Sequence, residues 1–70
     1  MPKRYSSKEI TRVLEHQGFK FVSRKGSHIK FKDLSGSLTV IVPADRREIP
    51  VGTFRSILRQ SKLEEKDFEK

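Results

Sequence analysis

Lys25-Gly26-Ser27-His28-Ile29-Lys30-Phe31 is the stretch on which the fold of this chain turns. A glycine that accepts positive φ makes a tight reversal, and the residues after it alternate. His28, Lys30 and Lys32 fall on one side of a predicted strand, Ile29 and Phe31 on the other, so one face is cationic and one apolar. Before the turn, Phe19 to Arg24 alternates in the same way, with Phe19 and Phe21 opposed to Lys20, Val22 and Arg24. After it, Asp33-Leu34-Ser35-Gly36 carries turn formers, and the β-branched run Ser37 to Val42 stops at Pro43. The three segments form a predicted antiparallel meander.

A helix is expected on each side of the meander. Ser6 and Glu9 have capping-box spacing, Ile10, Val13 and Leu14 recur at helical intervals, and Gly18 supplies a left-handed stop, giving a helix over Ser7 to Gln17. Pro50 and Thr53 mark the start of a second helix, whose stripe is Phe54, Ile57 and Leu58. Leu63 and Phe68 suggest a last short turn folding back over the core, and the residues up to Tyr5 are expected to be ragged. Two helices with one apolar stripe each are both satisfied only on a single face of the sheet, which makes a two-layer α+β sandwich of order α-β-β-β-α. Strand parity puts Phe19, Phe21, Ile29, Phe31, Leu38, Val40 and Val42 beneath the helices. It leaves Lys20, Val22, Arg24, His28, Lys30, Lys32, Thr39 and Ile41 open.

Seventy residues make a single domain, 1–70, near the lower limit for a self-sufficient core. Without cysteine there are no disulfides or thiolate metal sites. No apolar run approaches the roughly 20 residues of a membrane helix, and Met-Pro-Lys-Arg-Tyr-Ser-Ser lacks the apolar segment of a secretion signal, so a cytoplasmic protein without membrane contact is expected. Sixteen Lys and Arg against nine Asp and Glu give a formal charge of +7. Between Glu15 and Asp33 there is no acid, whereas Lys20, Arg24, Lys25, Lys30 and Lys32 all lie there. A localised basic surface attracts polyanions, above all nucleic acid.

Few catalytic chemistries fit these residues. His16 and His28 sit on different predicted elements with no clustered carboxylates, so no metal or other cofactor is expected. Ser27 and His28 are strand neighbours that project to opposite faces and cannot act as nucleophile and base. Cleavage of RNA by its own 2′-hydroxyl remains, with His28 handling the proton and Lys20, Arg24, Lys25, Lys30 and Lys32 as candidates to hold phosphate. The competing readings are an RNA-binding module that does not cut, a basic surface for an acidic protein partner, and a solvated face.

Gly18-Phe19, Lys25-Gly26-Ser27-His28, Val42-Pro43 and Gly52-Thr53-Phe54-Arg55-Ser56-Ile57-Leu58, in this order and spacing, resemble the HicA (YcfA-like) mRNA interferase toxins of toxin–antitoxin systems. The resemblance runs from the first helix through Phe68. It implies a fold like the double-stranded-RNA-binding domain, a catalytic role for His28 with Gly26 and Ser27 shaping its turn, an mRNA substrate, and a HicB antitoxin as partner, with higher-order toxin–antitoxin complexes possible. Many relatives carry a second histidine two residues after the Val-Pro pair, where this chain has Asp45.

Overall fold

The computed structural model describes residues 4–69. Helix α1 (Ser7–His16) leads into strands β1 (Lys20–Lys25), β2 (His28–Lys32) and β3 (Thr39–Pro43), followed by helix α2 (Val51–Ser61) and a 3₁₀ turn at Glu65–Phe68. The sheet is antiparallel with β2 in the centre. The expected α+β order is therefore the observed one.

Local chemistry sets the ends of the elements. The Ser6 hydroxyl accepts from the Glu9 N–H at 3.1 Å, while the Glu9 carboxylate accepts from the Ser6 N–H at 2.9 Å, which satisfies two donors that a helix start leaves unpaired. At the β2–β3 reversal the Asp33 carboxylate accepts from the Leu38 N–H at 3.0 Å and from the Ser35 hydroxyl at 2.9 Å. These bonds, the Leu38 amide foremost, hold the Asp33 carboxyl below its ordinary value of 3.8.

The core lies between the helices and one sheet face. Ile10 and Leu14 of α1, Phe54 and Ile57 of α2, and Phe31, Val40 and Val42 of the sheet are all buried together. Tyr5 was expected in a ragged end, yet it is buried against Phe54, with ring centroids 5.1 Å apart, and Phe68, at 5.9 Å. Its carbonyl accepts from the N–H of Ile49, a second core residue that belongs to no periodic stripe. Phe68 does fold back onto the core, meeting Phe54 edge-on at 5.1 Å.

Strand β1 departs from simple alternation. Its ladder matches Phe21 with Phe31 but Ser23 with Lys30, so Val22 is one residue too many and forms a β-bulge. Past the bulge parity reverses, and Arg24 stands opposite Ile29 while Lys25 stands opposite His28. Phe21 keeps the helix-side face and touches Phe31 edge-on at 6.2 Å, but it is 56% exposed, because α2 packs on β3 and leaves the β1 edge thinly covered.

Truncating Phe54 to alanine is expected to cost about 3–5 kcal/mol in urea unfolding, and Phe21→Ala only about 1 kcal/mol. The Asp33 contribution is full above the ordinary carboxylate value, where only the native turn uses the charge, and drains as pH falls through the depressed folded value. The melting-temperature gap between wild type and Asp33→Asn should accordingly be widest near neutrality and close in strong acid.

Candidate active site

The turn that delivers His28 is held at both ends. Gly26 adopts φ +61°, where a side chain would be strained, and its carbonyl accepts from Arg24 Nε at 3.1 Å. The next carbonyl, of Ser27, accepts from the Ala44 N–H at 2.7 Å, which ties the hairpin to the chain leaving β3. That departing chain is anchored by Ser7, whose buried hydroxyl donates to the Pro43 carbonyl and accepts from the Arg46 N–H at 2.9 Å. His28 thus emerges as the first residue of β2 with Lys25 across from it in β1 and Pro43 across from it in β3.

Its side chain is exposed where two depressions meet. One, of about 340 Å³, lies over the sheet and includes Ser23, Lys25, Lys30 and Ile41. The other, of about 400 Å³, lies between β3 and α2 and is bordered by Ser27, Arg46, Thr53, Ser56 and Gln60. The two differ in character: lysines line the first, and serine, threonine, glutamine and one arginine line the second.

Strand register groups most of the expected site residues. Lys20 pairs with Lys32, Ser23 with Lys30 and Lys25 with His28, so the four lysines and the histidine share the open face. Arg24 does not join them. The bulge at Val22 turns it toward the helix side, where its Nη2 lies 2.7 Å from Asp45 Oδ2. The expectation that Arg24 shares the open face with His28 is corrected by that one extra residue. Asp45, which has φ +57°, is the other half of this bridge between the hairpin and the loop after β3. His16 closes α1 and borders neither depression.

Sequence reasoning gave no part in the site to Arg46, Thr53, Ser56 or Gln60. The last three recur at i, i+3 and i+7, a polar stripe beside the apolar one of α2, and this was the available signal. Gln60 also completes the sheet: its Oε1 accepts from the Ile41 N–H at 2.9 Å, a donor on the outer edge of β3 that no strand pairs. Among the described residues no group of three or more His, Asp or Glu is placed to hold a metal ion, and no helix is long and apolar enough to cross a membrane.

A family model described as the HicA toxin of bacterial toxin–antitoxin matches residues 7–63 of this 70-residue chain. The chain belongs to the HicA toxin family. Comparison with curated proteins gives no match. The HicA match spans α1 through the end of α2, hence the whole of the His28 turn and both depressions, while Tyr5 and Phe68 lie outside it. Family membership makes the chain the toxin half of a toxin–antitoxin pair and implies an antitoxin partner.

Because both partners of the Arg24–Asp45 pair are largely exposed, at 48% and 77%, Arg24→Ala should lower stability by less than about 1 kcal/mol.

Proposed function

We propose that this HicA-family toxin is a metal-independent endoribonuclease that cleaves mRNA, with His28 as its catalytic residue. The position of His28 carries the reading: it is the one imidazole on a face otherwise supplied with lysines, at the junction of two depressions that a polynucleotide can occupy together. His28 takes the proton from a ribose 2′-hydroxyl, the freed oxygen bonds to the adjacent phosphorus, and the bond from phosphorus to the 5′ oxygen breaks. The departing oxygen takes a proton from water, leaving a 2′,3′-cyclic phosphate and a 5′-hydroxyl, and the imidazolium gives its proton back to solvent. Lys25 and Lys30 flank His28 in the ladder and meet the charge that gathers on phosphorus, while Lys20 and Lys32 extend the phosphate track along the sheet.

A HicB-type antitoxin is the partner that this reading requires. Acidic groups laid over the open face would exclude RNA and stabilise a small domain by binding only its folded form. The exposure of His28 also suits a second reading, an RNA-binding module that holds its ligand without cutting it.

Induced expression of wild type and of His28→Ala, with growth and mRNA integrity followed, separates the two. Growth arrest and mRNA loss confined to wild type are expected, with RNA affinity in the variant reduced no more than a few-fold. Intact mRNA in cells making folded wild type would overturn the ribonuclease reading in favour of the binding module.

A further inference from the structure

The chemistry of the second depression sets it apart from the lysine face. Lysines grip phosphates alike whatever the base, and contacts of that kind carry no sequence information. The space between β3 and α2 is lined by residues of types that can distinguish one base from another: Ser27, Thr53, Ser56, Gln60 and Arg46. Its volume of about 400 Å³ lies within the range of small-molecule sites, roughly 300–1,000 Å³. It opens directly beside His28, which borders both depressions.

Two of its walls are preorganised. Gln60 Oε1 is fixed by the Ile41 N–H at 2.9 Å, so the amide cannot flip and its NH₂ is committed as a donor. Ser56 Oγ accepts from Arg59 Nη2 at 3.2 Å and keeps its own proton to donate. Arg46 is set by its backbone, whose N–H donates to the Ser7 hydroxyl and whose carbonyl accepts from the Ser7 N–H at 2.9 Å. Donors held in this way favour a base presenting acceptors on its exposed edge, as single-stranded RNA does once a base is splayed from its stack.

We propose that the groove between β3 and α2 is a nucleobase subsite for single-stranded RNA, in which Gln60 and Ser56 select the base next to the phosphate at His28. This deepens the ribonuclease reading and rests on it for the word selection, but base-dependent binding is measurable without any cutting. Thr53 and Arg46 border the pocket and contribute binding; discrimination falls to the two side chains whose hydrogen bonds orient them.

The test uses the full chain carrying His28→Ala, titrated at one fixed salt concentration with short single-stranded RNAs that differ only in base identity. A spread of about tenfold between the best and worst base is expected, the scale of one good base-edge contact. Adding Gln60→Glu, which retains an oxygen for the Ile41 N–H but loses the amide donors, or Ser56→Ala, should each compress that spread to within about threefold. Lys30→Ala should lower all affinities together and leave the spread intact. Equal binding of all four bases by the His28→Ala chain, or a spread unaltered in both groove variants, overturns the subsite. Should Gln60→Glu fail to fold, Ser56→Ala decides alone, since among the described residues the Ser56 hydroxyl is held by the exposed Arg59 side chain. A wild type that shows the spread but cuts no RNA leaves the subsite standing and removes the ribonuclease reading; one that cuts without any spread does the reverse.

Discussion

Phe31 has to be buried, and in a strand that single demand determines what its neighbours can do. With Val40 and Val42 it forms the sheet floor on which both helices rest, so Lys30 and Lys32 on either side are turned outward, and His28 with them. A slip of one residue would bury ammonium groups without partners, at a cost of several kcal/mol for each ion, and strip Phe31 from the core. Formation of the core and presentation of the basic face are thus one event. The histidine is exposed because a phenylalanine three residues later is not.

Much of this was legible because it depends on periodicity. The capping box at Ser6 and Glu9, the stripes of the two helices and the alternation of β2 are each written in consecutive residues, and each appears where it was expected. The bulge at Val22 was not legible, since Phe19 to Arg24 alternates perfectly on paper and an extra residue leaves no mark in the pattern until a partner strand is laid beside it. It moved Arg24 from the lysine face to a bridge with Asp45 and brought Lys25 opposite His28. Tyr5 and Ile49 escaped for a different reason: each is a lone apolar residue in an irregular segment, and only tertiary contact shows that they meet. The wall formed by Arg46 and the polar side of α2 was hidden likewise, because its members come from a loop and a helix that adjoin only after folding.

The Arg24–Asp45 bridge and the Ser7 hydroxyl divide the work of holding the site. Ser7 is buried and its three hydrogen bonds to Pro43 and Arg46 leave no polar group unpaired, so it secures the loop after β3 firmly. The Arg24 bridge lies in solvent, where an ion pair contributes little stability. What it adds is a second tether between the hairpin and that loop, on the face opposite the lysines. The positive charges of β1 and its turn thereby divide, the lysines turned to the open face and Arg24 facing a carboxylate of the same chain.

The cluster of Tyr5, Phe54 and Phe68 joins the two extremities of the described chain through a residue near the start of α2. Folds of this size commonly fray from their ends, and proteases enter there. Here fraying at either extremity would pull an aromatic ring out of the same cluster and loosen the other. The domain is closed like a ring rather than laid out like a ribbon, so its least expensive opening is not at its ends, and loss of structure should proceed as one cooperative step.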